Sequence, residues 1–151
     1  MKYVIIIALF SLFIIGILNY IEIQKIRRLN HEKNASMKLI DSYMRLYWNE
    51  LPEVIQSLKQ RNDIPKKVLE KLILERNHIY DRMNITEKLI HHAKIEDLLK
   101  KLSTKEISFE KLEGIELQIM VVSKEIERLN EEIEKKKKNP FLKLILPFIK
   151  L

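Results

Sequence analysis

The stretch IDSYMRLYWNELP, residues 40–52, decides how the chain is to be read. Its apolar members Ile40, Met44, Tyr47 and Leu51 recur at intervals of three and four, the spacing of one face of an amphipathic helix. A proline follows at once. Inside a helix proline removes a backbone donor and crowds the preceding turn, at ~3 kcal/mol or more. Two readings stand: either Pro52 lies within a long helix that bends around it, or a new helix starts after Asn49.

Working outward, nothing between Ile23 and Gln60 except Pro52 calls for a break, and Met37, Val54 or Ile55, and Leu58 extend the same stripe. Upstream, residues 3–21 read YVIIIALFSLFIIGILNYI, about the length that crosses ~30 Å of hydrocarbon as a helix. The run is too long for the apolar segment of a cleaved signal peptide, and no small-residue cleavage pattern follows it. An uncleaved membrane anchor is expected. Lys25, Arg27, Arg28, Lys33 and Lys38 follow the run and only Lys2 precedes it, so the bulk of the chain is expected on the cytoplasmic side of the cell membrane.

Charge is distributed in the same sense. The chain carries a formal +7, but residues 135–151 hold six lysines and no acid, leaving 22 basic against 21 acidic side chains before them. Positive charge beside two hydrophobic ends suits anionic lipid headgroups and argues against a nucleic-acid groove. The tail NPFLKLILPFIKL, residues 139–151, is too short to span and is broken by Pro140 and Pro147. Together with Lys135, Lys136, Lys137 and Lys138, its Phe141 and Phe148 are candidates for the membrane surface. The same apolar residues could instead close the domain's own core.

Downstream of Pro52, Asn62 or Asp63 can cap a second helix with Pro65 in its first turn. Leu69, Leu72, Ile73, Ile79, Tyr80 and Met83 give that helix an inner face, and Arg76 falls on the same stripe. Asn84 with Glu87 can open a further helix bearing Leu89, Ile90, Ala93, Ile95, Leu98, Leu99 and Leu102. Ser103 with Glu106 is a capping box for the last helix, where Leu112, Ile115, Ile119, Val122, Ile126, Leu129 and Ile133 alternate threes and fours. Whether residues 65–102 form one helix or two decides between three helices and four, and a basic tail that returns to lipid favours four. The expected fold is therefore all-α: a transmembrane anchor over residues 1–24, an antiparallel four-helix bundle (alternatively three-helix) over 25–138, and a hydrophobic basic tail over 139–151.

These residues resemble the LemA family of membrane-anchored bacterial helical proteins. The first helix of that family carries a pattern I-D-x-x-L-K-x-x-aromatic-D-x-I-P, and Ile40, Asp41, Met44, Arg45, Trp48, Asn49, Leu51 and Pro52 stand at its positions. An E-x-x-I-x-x-R run follows in the family, matched here by Glu70, Ile73 and Arg76. Leu129-Asn130 stands where the family shows paired Tyr-Asn motifs. The resemblance implies an N-terminal anchor and a four-helix antiparallel bundle. Spacing alone, not the resemblance, places Arg76 on the stripe facing the bend at Pro52 as a donor to the carbonyl that proline leaves free, with Asp41 or Glu50 as its expected charged partner.

Candidate chemistry is sparse. With no cysteine there is no disulfide, thiolate metal site or cysteine nucleophile. Glu75 and His78 have the spacing of half a di-iron site without a second half, and Glu87 with His91, one turn apart, is more simply a solvated pair. His91 and His92 point ~100° apart on a helix and cannot share a ligand. No glycine-rich phosphate loop or nucleophile elbow occurs. The expectation is a non-enzymatic membrane-tethered scaffold without a cofactor, metal or small-molecule substrate, whose partners are the bilayer and a protein, or a second copy of itself. The alternatives are a lipid-sensing or membrane-remodelling protein acting through its tail, and a coiled-coil homo-oligomer of the cell-division type.

Overall fold

Helices supply all the regular structure among the described residues of the computed structural model, which are 2–77, 82–102 and 109–143, without the side chains at positions 2, 8, 141 and 143. In chain order they are α1 (Lys2–Lys59), α2 (Lys66–Arg76), α3 (Ile85–Leu102), α4 (Glu110–Lys137) and a single turn, α5 (Pro140–Lys143). The side chains of Phe141 and Phe148, the Ser103/Glu106 capping box, and His78, Ile79 and Tyr80 lie outside the described residues.

α1 runs through Pro52 without interruption, so the alternative of a fresh helix after Asn49 does not hold. Pro52 is exposed, which puts its ring on the solvent side and spares the buried stripe beside it. The helix ends in a tightened turn, with Gln60 donating to the Ser57 carbonyl at 3.3 Å and Arg61 to that of Leu58 at 3.2 Å. From Tyr3 to Lys59 it is a helix long and apolar enough to cross a membrane, by length and composition, near its N-terminal end.

The caps divide into one that follows the expected chemistry and one that does not. At α3, Glu87 N–H donates to the Asn84 side chain at 3.0 Å and Asn84 N–H donates back to the Glu87 carboxylate at 2.9 Å, a reciprocal capping box. At α2, Pro65 occupies the N-cap itself and makes no side-chain cap bond. Asp63 is turned to Arg61 instead, at 2.8 Å, where the guanidinium fork meets both of its carboxylate oxygens. α2 stops at Arg76 and α3 starts at Ile85, so residues 65–102 form two helices, as the charge distribution favoured. α4 carries Glu110 and Glu113 in its first turn and three lysines in its last, each complementing the helix dipole.

Two compact units are present. One comprises Met37–Ser123, and its core draws on every helix within it: Ile40, Met44, Tyr47, Trp48, Leu51, Ile55 and Leu58 from α1, Leu72 from α2, Ile95, Leu99 and Leu102 from α3, and Leu112, Ile119 and Val122 from α4. The other comprises Met1–Ser36 with Lys124–Leu151. There Ile23, Ile26 and Leu29 bury against Leu129, Ile133 and Leu142, while the apolar side chains of residues 3–21 stand exposed. These units divide at 36/37 and 123/124, whereas the sequence reading divides the chain at 24/25 and 138/139.

The buried face of α3 differs from the expected one. Ile90 and Ala93 face solvent, and the buried positions are Lys88, His92, Ile95, Leu99 and Leu102. Their spacing of four, three, four and three is regular, but two of the five are polar. Hydrophobicity alone therefore points to the wrong side of the first turns.

Candidate functional site

Within Met37–Ser123 the polar side chains gather at the seams between helices. Asp41 sits one position beyond the core residue Ile40, which turns its carboxylate to the edge of the buried stripe. It accepts from Arg45 at 3.0 Å, one turn along, and from Lys88 of α3 at 2.5 Å. Lys88 is only 5% exposed, so this pair replaces most of its hydration. Burial works against the Asp41 carboxylate, but the bonds from Lys88 and Arg45 more than offset it and its pKa is lowered. The α2–α3 seam is closed by Glu75, which meets His91 Nδ1 at 2.7 Å and Lys94 at 3.7 Å. Lys111 of α4 reaches Glu50 of α1 at 2.7 Å.

A second cluster surrounds Tyr47. His92 packs edge-on against its ring, with centroids 4.5 Å apart and planes at 80°. Burial lowers the pKa of His92 and raises that of Tyr47, holding both neutral. Close by, a cavity of about 110 Å³ brings Tyr47, Glu96 and Lys100 together with Phe109, Glu113 and Glu116. Partial burial and the neighbouring Glu96 carboxylate push Glu116 up to about 7, while a hydrogen bond from Glu116, together with Lys100, holds Glu96 low. Glu96 and Glu116 thus share a proton near neutrality.

A larger cavity of about 290 Å³ lies where α1 and the end of α2 meet, lined by Pro52, Ile55, Gln56, Lys59, Ile73, Arg76 and Asn77. The structure thus brings Pro52 and Arg76 to one place, as their positions in the sequence suggest. Among the described residues it does not supply the expected charged partner. Asp41 is drawn to Arg45, one turn along its own helix, and to Lys88 of α3, and Glu50 is drawn to Lys111 of α4. Among the described residues Arg76 Nε is buried without a hydrogen-bond partner.

In the unit formed by Met1–Ser36 and Lys124–Leu151, Leu29 floors a cleft of about 410 Å³ walled by Lys25, Arg28, Glu32, Arg128, Glu132 and Lys136. Its charges are matched: Lys25 and Lys136 approach Glu22 at 2.7 and 3.4 Å, Arg28 meets Glu32 at 2.9 Å, and Arg128 meets Glu125 at 2.7 Å and Glu132 at 3.2 Å. Of the lysines singled out beside the tail, Lys136 and Lys137 are engaged, the latter with Glu134 at 3.1 Å, while Lys135 and Lys138 stand exposed.

The remaining singled-out residues separate by role. Ile40, Met44, Trp48 and Leu51 are core; Asn49 and Glu70 face solvent; Ile73 lines the cavity beside Arg76. Glu87 is occupied in its cap and His91 turns to Glu75 rather than to Glu87, and among the described residues no three potential metal ligands gather. Lys88, Glu96 and Glu116 lie outside the residues that sequence points to, and His92 enters there only as a histidine that cannot share a ligand with His91. The heptad spacing of Lys88, His92, Ile95, Leu99 and Leu102 is the signal that marks Lys88 and His92, whereas no local pattern marks Glu96 or Glu116. No protein-family model, curated protein or solved structure matches the chain.

Proposed function

We propose that the chain is a non-enzymatic, single-pass membrane protein of LemA type, whose residues beyond the apolar run form an antiparallel four-helix bundle that presents a helical surface to a protein partner at the cytoplasmic face of the cell membrane. The observation that carries the reading is the bareness of the apolar run. Its most apolar window has a mean hydropathy of 2.7, yet only 6% of it is buried. Apolar surface left in water forgoes ~25 cal/mol per Å², and a bilayer supplies the cover that the protein does not.

The antiparallel order is supported within Met37–Ser123, where Glu50 meets Lys111 and Tyr47, a turn earlier on α1, shares a cavity with Glu116, further along α4. A binding role is supported by where the polar residues go, since Asp41, Glu50, Glu75, Lys88 and His91 are used between helices. Exposed Leu117, Met120 and Val121 on α4 and Leu39 and Leu46 on α1 supply apolar surface for contact. The tail is the weaker candidate for the working surface, because Leu142 is buried in the chain's own cluster.

The test uses the cysteine-free full chain in cells. It should remain in the membrane pellet after alkaline carbonate washing, and a Ser36→Cys variant should resist an impermeant maleimide until the membrane is opened. Release by carbonate, labelling in intact cells, or removal of residues 3–21 from the mature chain would each overturn the membrane reading. A photoreactive residue at Leu117 or Val121 should give a discrete protein adduct in intact membranes. No adduct at either would overturn the partner reading.

A further inference from the structure

Among the described residues, three seams of Met37–Ser123 pair cation with carboxylate. Lys88 has Asp41, Glu75 has His91 and Lys94, and Glu50 has Lys111. Among the described residues, the cavity between α1 and the end of α2 is lined by two cations and no carboxylate. Pro52, Ile55, Gln56 and Lys59 fall at spacings of three, four and seven, so they lie along one face of α1, and Ile73, Arg76 and Asn77 do the same on α2. Ile55 and Ile73 give the cavity an apolar floor, and the four polar side chains stand around it. Among the described residues, the side chains of Gln56, Lys59, Arg76 and Asn77 have neither a hydrogen bond nor an ion pair, and Arg76 Nε is fully shielded from water.

A guanidinium cannot relieve its burial by losing a proton, so the charge on Arg76 persists. A shielded, unbonded donor on such a group is costly and is retained where a partner is to be received. The donors present specify that partner. Arginine offers a planar fork that matches two oxygens of a carboxylate or phosphoryl group, lysine adds a mobile point charge, and the two carboxamides add neutral donors. The carbonyl end of α2 disfavours an anion, and two cations outweigh it. At about 290 Å³ the cavity lies at the lower end of the ~300–1,000 Å³ of ligand sites, which limits the occupant to a compact molecule.

We propose that this cavity is an oxyanion site, taking a small molecule that carries a carboxylate or phosphoryl group against Arg76 and Lys59, with its apolar part on Ile55 and Ile73. The site is independent of the membrane and scaffold reading.

The test is calorimetric titration of the detergent-solubilised full chain with inorganic phosphate and, separately, with acetate at constant ionic strength. Saturable one-to-one binding of either is expected. Tighter phosphate assigns a phosphoryl group and tighter acetate a carboxylate. Arg76→Gln should weaken binding at least tenfold, Lys59→Gln several-fold, and the exposed control Arg27→Gln not at all. Without added anion, Arg76→Gln should leave Tm unchanged or raise it, whereas a purely structural arginine would lower it. Lys59 is exposed, so Lys59→Gln tests the affinity without disturbing a shielded group. Absence of saturable binding by both anions, unchanged affinity in both variants, or a lowered Tm for Arg76→Gln would overturn the proposal.

Discussion

Lys88 is a cation placed where a hydrophobic residue would ordinarily stand, and its stability depends on Asp41. Removing one member of a buried pair leaves the other desolvated and uncompensated, at ~3–5 kcal/mol, whereas replacing both with apolar groups is often neutral. Because Asp41 keeps 24% of its side-chain exposure, Asp41→Ala should cost about 2–3 kcal/mol by urea denaturation, and adding Lys88→Met should recover most of the loss. Equal losses in the single and double variants would show that the pair contributes little. Glu116 predicts a pH dependence. Its proton is held more tightly in the folded chain than at the ordinary 4.5, so its contribution is full below that value and is lost as pH rises through about 7. His92 acts oppositely: burial lowers its pKa, and stability is lost as pH falls below the ordinary 6.5. Glu96, Lys100 and Glu113 face Glu116 across the cavity, and with solvent screening the expected loss between pH 5.5 and 8 is about 1 kcal/mol. Glu116→Gln should flatten that limb of the stability–pH curve and leave the acid limb, set by His92, in place. Sequence shows none of this pairing, because Asp41 and Lys88, like Glu96 and Glu116, meet only once helices distant in the chain are packed.

At the scale of the helix, local chemistry was largely legible. The stripe from Ile40 to Leu58, the Asn84–Glu87 box and the alternation along α4 all rest on backbone geometry and side chains within a few residues of each other. α3 was legible in extent but not in facing, since the rule that apolar residues mark the inside fails where Lys88 and His92 find partners on α1. α4 offers a direct test of the local account. Gly114 lies in its interior with a backbone that strains no side chain, and a Cβ added there would meet no heavy atom within 4 Å. Gly114→Ala should therefore raise stability by about 0.5–1 kcal/mol, read as a higher Tm with unchanged helicity. A fall in Tm would mean that this face of α4 is covered by a second copy or a partner.

For the whole molecule, sequence conveyed the helical class, the apolar run and the separation of α2 from α3, and it draws boundaries by composition where the compact units are drawn by shared cores. The boundary drawn at residue 24 followed hydropathy, while the compact unit follows Ile23, Ile26 and Leu29 down to Ser36 and across to α4. No local pattern marks position 36, because the division arises from which distant segments share a core. Ile23 and Leu142 bury together although almost the whole chain separates them. Such a unit cannot close during synthesis until its late half has been made. A ribosome that stalls before Leu129 leaves Ile23, Ile26 and Leu29 without cover, so nascent and truncated chains should be bound by holding chaperones and cleared by proteases, while full-length chains escape both.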